Sequence, residues 1–142
     1  MPRVYFDNAA TSPINEVALQ ALIDQSRAIG NPSSLHAFGR DARRNVEEAR
    51  EKISALAECE PSEVIFTGSG TEANNLALKG IYWHRLLENK KRKVIITSAF
   101  EHHAVLDPIR WIADTEGAEV IEVPVDEAGY LKLEFLETAL EN

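Results

Sequence analysis

Two short stretches of this sequence hold residues whose types and order could do chemistry: Gly68-Ser69-Gly70-Thr71 after one apolar run, and Glu101-His102-His103 after another. In the first, a β-branched run from Val64 to Thr67 stops, turns on two glycines and enters a helical pattern. Such a turn leaves backbone N–H groups aimed at one spot, and the helix dipole adds partial positive charge there, so it seats an anion, most often a phosphate. The amides of Gly70 and Thr71 with the Thr71 hydroxyl suffice for a single phosphate monoester. The second stretch offers an imidazole, which can relay a proton or pack over an aromatic ring.

Other chemistries fit less well. Gly68-Ser69-Gly70-Thr71-Glu72-Ala73 satisfies the permissive dinucleotide fingerprint G-x-G-x-x-G/A, after a strand pattern and at the start of a helix. About sixty residues precede it, however, and no acid stands at the end of the next strand to take a ribose hydroxyl. The Gly-Lys-Ser/Thr of a triphosphate loop is absent. Adjacent histidines diverge on an extended backbone and lie about 100° apart on a helix, so His102 and His103 make a poor metal chelate and no metal is expected.

These groups are positioned by an alternation of elements. Tyr5 to Pro13 reads as an extended arm, Asn15 to Ala28 as a helix, and Gly30 to Ser34 as the loop that ends it, followed by an aperiodic stretch carrying His36. From Arg40 to Leu56, the residues Ala42, Val46, Ala49, Ile53 and Leu56 draw one apolar stripe. The opposite face pairs Arg43 with Glu47, Arg44 with Glu48 and Glu48 with Lys52 at i,i+4 spacing. Strands are expected at Val64 to Thr67, Val94 to Thr97 and Ala118 to Val123. Helices are expected at Thr71 to Glu88, Ala104 to Thr115 and Lys132 to Glu141, with Pro108 near the first turn of its helix. Lys90 to Lys93 reads as a solvated basic loop. The alternation is that of an α/β fold with parallel strands, in which ligands bind beyond the carboxyl ends of the strands, where both reactive stretches fall.

Bulk properties narrow the function further. The 142 residues amount to one domain's worth, with 44% apolar and 27% charged residues as in a water-soluble globular chain. A net charge of −8 and no basic patch argue against nucleic acid as a partner. The N-terminus from Met1 to Asp7 lacks the apolar run of a secretory signal and no stretch is long enough to span a bilayer, so a cytoplasmic protein without a membrane partner is expected. One cysteine, Cys59, between Glu58 and Glu60, excludes an internal disulfide and disfavours a reactive thiolate.

Taken together, Tyr5-Phe6-Asp7-Asn8-Ala9-Ala10-Thr11, Gly30-Asn31-Pro32-Ser33-Ser34-Leu35-His36, Phe66 to Gly80, and Glu101-His102-His103-Ala104-Val105-Leu106-Asp107 resemble the cysteine desulfurases. These belong to the class V aminotransferase group with the type I pyridoxal phosphate fold. The resemblance implies pyridoxal 5'-phosphate as cofactor, with Gly70 and Thr71 holding its phosphate and His102 stacking on its ring and shuttling protons. Asn8, Ala9, Thr11, Asn31 and His36 match segments bordering the substrate pocket. It further implies L-cysteine as substrate, alanine as product, persulfide sulfur passed to iron–sulfur assembly or thiolation partners, and a homodimer.

The family's Schiff-base lysine, pyridine-pairing aspartate, carboxylate-binding arginine and acceptor cysteine all follow the region matched here. None of Lys52, Lys79, Lys90, Lys91, Lys93 or Lys132 stands in the family's Ser-x-His-Lys context. The expected identity is therefore the N-terminal portion of a desulfurase, inactive alone. It comprises an arm, helix and border loop over 1–38 and the first part of the cofactor-binding α/β domain over 39–142. In the family, later strands fill the space between the first strand and the second. A chain of this extent then leaves open strand edges and exposed apolar faces. A selenocysteine lyase or other class V relative shares these motifs, and a non-catalytic dimerisation module or a dinucleotide-binding domain are readings of another class.

Overall fold

The computed structural model describes residues 3–89 and 91–141, so expectations resting on Met1, Pro2, Lys90 and Asn142 lie outside the described residues. The chain forms two compact units, Met1–Ile65 and Phe66–Asn142.

In the first unit the arm folds into a turn at its tip, where the Asp7 carbonyl accepts from the amides of Ala10 and Thr11 at 3.1 and 3.3 Å. Helix α1, Glu16–Ser26, begins at Asn15, whose side chain accepts from the Val17 amide at 2.9 Å. Helix α2, Ala37–Ala57, starts three residues before the apolar stripe predicts, because the His36 imidazole accepts from the Gly39 amide at 3.3 Å and caps it. The aperiodic loop before α2 is clamped onto its first turns. A Cβ on Gly30 would collide with the Phe38 carbonyl oxygen, and one on Gly39 with that of Ser34. Arg40 and Arg43 add hydrogen bonds to the carbonyls of Leu35 and Pro32 at 2.6 and 2.9 Å.

The expected pairing along α2 is redistributed. Arg44 keeps Glu48, at 3.9 Å, but holds Asp41 more closely at 2.8 Å. Glu47 takes Arg50 at 3.1 Å, since Arg43 is engaged by the loop. The stripe itself is partly covered: Ala42 and Val46 are half-buried, whereas Leu56 is 87% exposed. The Val64–Thr67 segment is the main departure from expectation. A single 3-10 turn, Pro61–Glu63, precedes it, and its residues join no ladder. Its sequence favours a strand, but no other described strand lies alongside to take its hydrogen bonds, and the Val64 carbonyl accepts from Arg50 instead.

The second unit contains the large apolar side chains buried among the described residues. Helix α3, Gly70–Glu88, is followed by β1, Val94–Ser98, helix α4, His103–Glu116, and β2, Glu119–Val123. β1 and β2 pair directly in parallel, from Val94 opposite Glu119 to Ser98 opposite Val123, so the α/β class with parallel strands stands on a two-stranded sheet. Ile109 and Ile112 of α4, Val123 of β2 and Tyr82 of α3 form the core, with Ile112 fully buried. Pro108 lies in the second turn of α4, deeper than expected, and has no N–H to offer the Ala104 carbonyl; it is buried against the core. Gly117 ends α4 in the left-handed region at φ 69°, where glycine carries no Cβ penalty.

After β2 the chain turns at Asp126, whose carboxylate accepts from the amides of Ala128 and Tyr130 at 2.9 Å each. It then enters α5, Leu133–Glu141. An open groove of about 940 Å³ is lined by Leu78, Ile81 and Tyr82 of α3, Ile96 of β1, Ile121 of β2 and Leu140 of α5.

Candidate functional site: an anion seat at the start of α3

The glycine turn is a helix start with its polar groups sorted. Ser69 is the N-cap of α3, and its hydroxyl accepts from the Glu72 amide at 3.1 Å. The Glu72 carboxylate reaches back to the Gly68 amide at 2.6 Å. The Ser69 carbonyl takes the Ala73 amide at 3.0 Å and the Thr67 hydroxyl at 3.1 Å. The amides of Gly70 and Thr71 are the first two of the helix, which have no carbonyl to donate to, and among the described residues neither finds an acceptor. Both residues are exposed. Gly70 is not required by backbone shape or by crowding: its φ is not positive, and a Cβ there would meet no atom within 4 Å.

His102 closes the start of α4. Its Nδ1 accepts from the Ala104 amide at 3.0 Å, which leaves the ring proton on Nε2, and the residue is exposed. The neighbouring His103 diverges, with its ring centroid 6.3 Å away and its plane turned by 72°, and its Nδ1 lies 3.7 Å from Asp107. Among the described residues no group of three or more potential metal-binding side chains converges here or elsewhere.

The two helices that these residues start, α3 and α4, pack on each other. Lys79 of α3 lies over the Trp111 ring of α4, 4.0 Å from its centroid. Four residues later Trp83 meets Trp111 edge to face at 6.4 Å and donates to Glu116 at 3.3 Å. Later residues of one helix thus meet later residues of the other, so the two helices run the same way. Gly70 precedes Lys79 by as many residues as His102 precedes Trp111. Each helix start thus stands nine residues ahead of its member of the Lys79–Trp111 contact.

The residues expected along the substrate border belong to the first unit. Asn8 and Ala9 occupy the turn closed by Asp7, and Thr11 donates its amide to that turn. The Asn31 side chain accepts from the Ser33 amide at 2.9 Å, and His36 caps α2. All five are exposed. Two residues that sequence reasoning did not single out, Ser69 and Glu72, organise the seat. The signal was present as the capping pattern Ser-x-x-Glu before an apolar helix. Elsewhere in the second unit, burial and the charge of Glu116 push the Tyr82 phenol above its ordinary pKa, and its hydroxyl has no hydrogen-bond partner among the described residues.

The sequence pattern of the aminotransferase class-V family matches residues 4–142. The "IscS-like cysteine desulfurase" of Mycobacterium tuberculosis (strain ATCC 25618 / H37Rv) is 48% identical over 138 residues, which are 97% of this chain and 35% of that protein. A solved "NIFS-like protein" superposes with a TM-score of 0.84 at 40% identity, covering 96% of this chain and 37% of its own. The structure titled "SspA in complex with cysteine" does so with a TM-score of 0.72 at 35% identity, covering 85% and 34%. The chain therefore spans about a third of the length of the relatives it matches.

Proposed function

Because this chain belongs to the aminotransferase class-V family, we propose that it supplies the phosphate-holding portion of a pyridoxal 5'-phosphate-dependent cysteine desulfurase. The observation that carries this reading is the pair of acceptor-less amides at Gly70 and Thr71, with His102 exposed at the start of the helix packed against α3. The donor set fits the cofactor: two amides and a hydroxyl for a phosphate, no side chain crowding Gly70, and an imidazole face for a pyridine ring. The names of the relatives point to the same chemistry.

In this reading Gly70 and Thr71 orient the cofactor by its phosphate, and His102 covers its ring with a proton held at Nε2. The cofactor, when bound, supplies an electron sink for bonds broken at the amino-acid α-carbon. Asn8, Ala9, Thr11, Asn31 and His36 border the substrate. The substrate is L-cysteine, the product alanine, and the sulfur leaves as persulfide for iron–sulfur or thiolation acceptors. The complete enzyme acts as a cytoplasmic homodimer. Among the described residues no helix is long and apolar enough to cross a membrane.

This chain alone is inactive in this reading, because no lysine in the family's context and no acceptor cysteine accompany the seat. A helix terminus contributes about 0.3–2 kcal/mol to a bound anion and ring stacking about 0.5–1.5 kcal/mol. Together they correspond to millimolar or weaker binding. Calorimetric titration with pyridoxal phosphate and with NAD tests the reading. Heat from pyridoxal phosphate alone is expected; binding of NAD in preference would overturn it. A sulfide assay with cysteine, pyridoxal phosphate and dithiothreitol is expected to give no turnover.

A further inference from the structure

The Glu72 carboxylate accepts from the Gly68 amide at 2.6 Å while the Glu72 amide donates to the Ser69 hydroxyl at 3.1 Å. One residue thus closes the glycine turn from both ends of its own side chain and backbone. In the usual capping box the returning acid takes the N-cap amide. Here it takes the amide one residue earlier, and the loop of Gly68 to Glu72 is closed into a ring around the Gly70 and Thr71 amides.

The contact is close on the side of the first glycine as well. Gly68 has no positive φ, and a Cβ there would stand 3.1 Å from the Glu72 carboxylate oxygen, which would have to give by a few tenths of an ångström. The charge is a cost: a carboxylate this near an anion seat repels the guest. Against that cost stands a firmer grip on the turn, since hydrogen bonds to an ionised group hold a donor more firmly than neutral ones.

We infer that Glu72 is a positioning residue for the phosphate seat, locking the turn so that the Gly70 and Thr71 amides point outward together; this rests on the cofactor reading above. It removes the Gly68 amide from competition for the guest and holds the other two in place before the guest arrives.

The test compares E72A, E72D and E72Q in the whole chain. Asp keeps the charge but is one methylene too short to reach Gly68. Gln keeps an acceptor oxygen and loses the charge. Water-exchange NMR on the Gly68 amide reads the contact directly, with no ligand present. E72A and E72D are expected to raise its exchange about tenfold, the loss expected for one charge-assisted hydrogen bond, and to move the Gly70 and Thr71 resonances, while E72Q, which keeps a neutral acceptor, raises it by roughly two- to fourfold. Titration with pyridoxal phosphate is then expected to weaken roughly five- to tenfold in E72A and E72D, and to hold or tighten in E72Q, where the like charge is gone. Unchanged Gly68 exchange in E72A and E72D overturns the inference, as does wild-type titration behaviour in both. Failure of the wild-type chain to take pyridoxal phosphate at all overturns the cofactor reading instead, and the exchange comparison still decides the role of Glu72. Should E72A not fold, E72D carries the same readouts.

Discussion

Lys79 holds its ammonium 4.0 Å from the centre of the Trp111 ring, a cation of one helix resting on an aromatic face of the next. A lysine so engaged is a fastener rather than a nucleophile. K79A is expected to lower stability by about 0.5–1 kcal/mol, measured by urea unfolding, and to leave pyridoxal phosphate titration unchanged. Borohydride reduction in the presence of pyridoxal phosphate, followed by peptide mapping, is expected to leave Lys79 without stoichiometric modification.

His102 carries two separable tasks, capping α4 through Nδ1 and presenting a ring. H102N keeps a good cap and removes the ring, so its stability is expected to match the wild type. H102A loses both and is expected to cost about 0.5–2 kcal/mol. Both variants are expected to weaken pyridoxal phosphate by roughly two- to tenfold, the worth of one ring contact, while inorganic phosphate binds as before. A loss of inorganic phosphate binding in H102N would show the imidazole acting on the phosphate instead.

Tyr82 is 6% exposed and its hydroxyl has no partner among the described residues, so the oxygen is a burden to the core. Y82F is expected to raise stability by about 1 kcal/mol by removing a buried, unpaired hydroxyl. The raised pKa of the phenol gives a pH dependence as well. The folded state resists ionisation more than the unfolded state does, so the stability present below the ordinary tyrosine pKa is lost as the pH climbs through the folded value. The unfolding free energy of the wild type is therefore expected to fall more steeply above about pH 10 than that of Y82F.

Two helical glycines separate packing from propensity. At Gly39 a Cβ collides with the Ser34 carbonyl, and G39A is expected to cost about 1–3 kcal/mol or to detach the loop from α2. At Gly80, inside α3, a Cβ meets no atom within 4 Å, and G80A is expected to stabilise by roughly 0.5–1 kcal/mol. Paired thermal melts of the two variants should move in opposite directions.

Periodicity and capping chemistry made the helices legible, and the βαβ order made the parallel ladder legible. What the pattern misjudged has local causes. Val64–Thr67 has the composition of a strand, but a strand exists only where another offers its hydrogen bonds, and composition does not report on neighbours. The start of α2 was misread because a histidine is a rare cap and its hydrophobic period begins only after Gly39. Arg43 left its expected partner for the Pro32 carbonyl because loop closure competes with i,i+4 pairing, a contest invisible in spacing. At the candidate site, the cap that Ser69 and Glu72 build is legible in the pattern Ser-x-x-Glu, whereas the packing of α3 on α4 through Lys79, Trp83 and Trp111 is encoded by no short motif.

The matched intervals in α3 and α4 make the two helices a ruler with a phase as well as a length. One alanine inserted between Gly70 and Lys79 would turn the Gly70 and Thr71 amides by about 100° and push them about 1.5 Å along the axis, although every residue of the turn remained. An alanine between His102 and Trp111 would move the imidazole by the same rise and angle. The placement of both helix starts relative to the α3–α4 contact is thus bound to a count of residues, and the segments between tolerate substitution far better than a change in length.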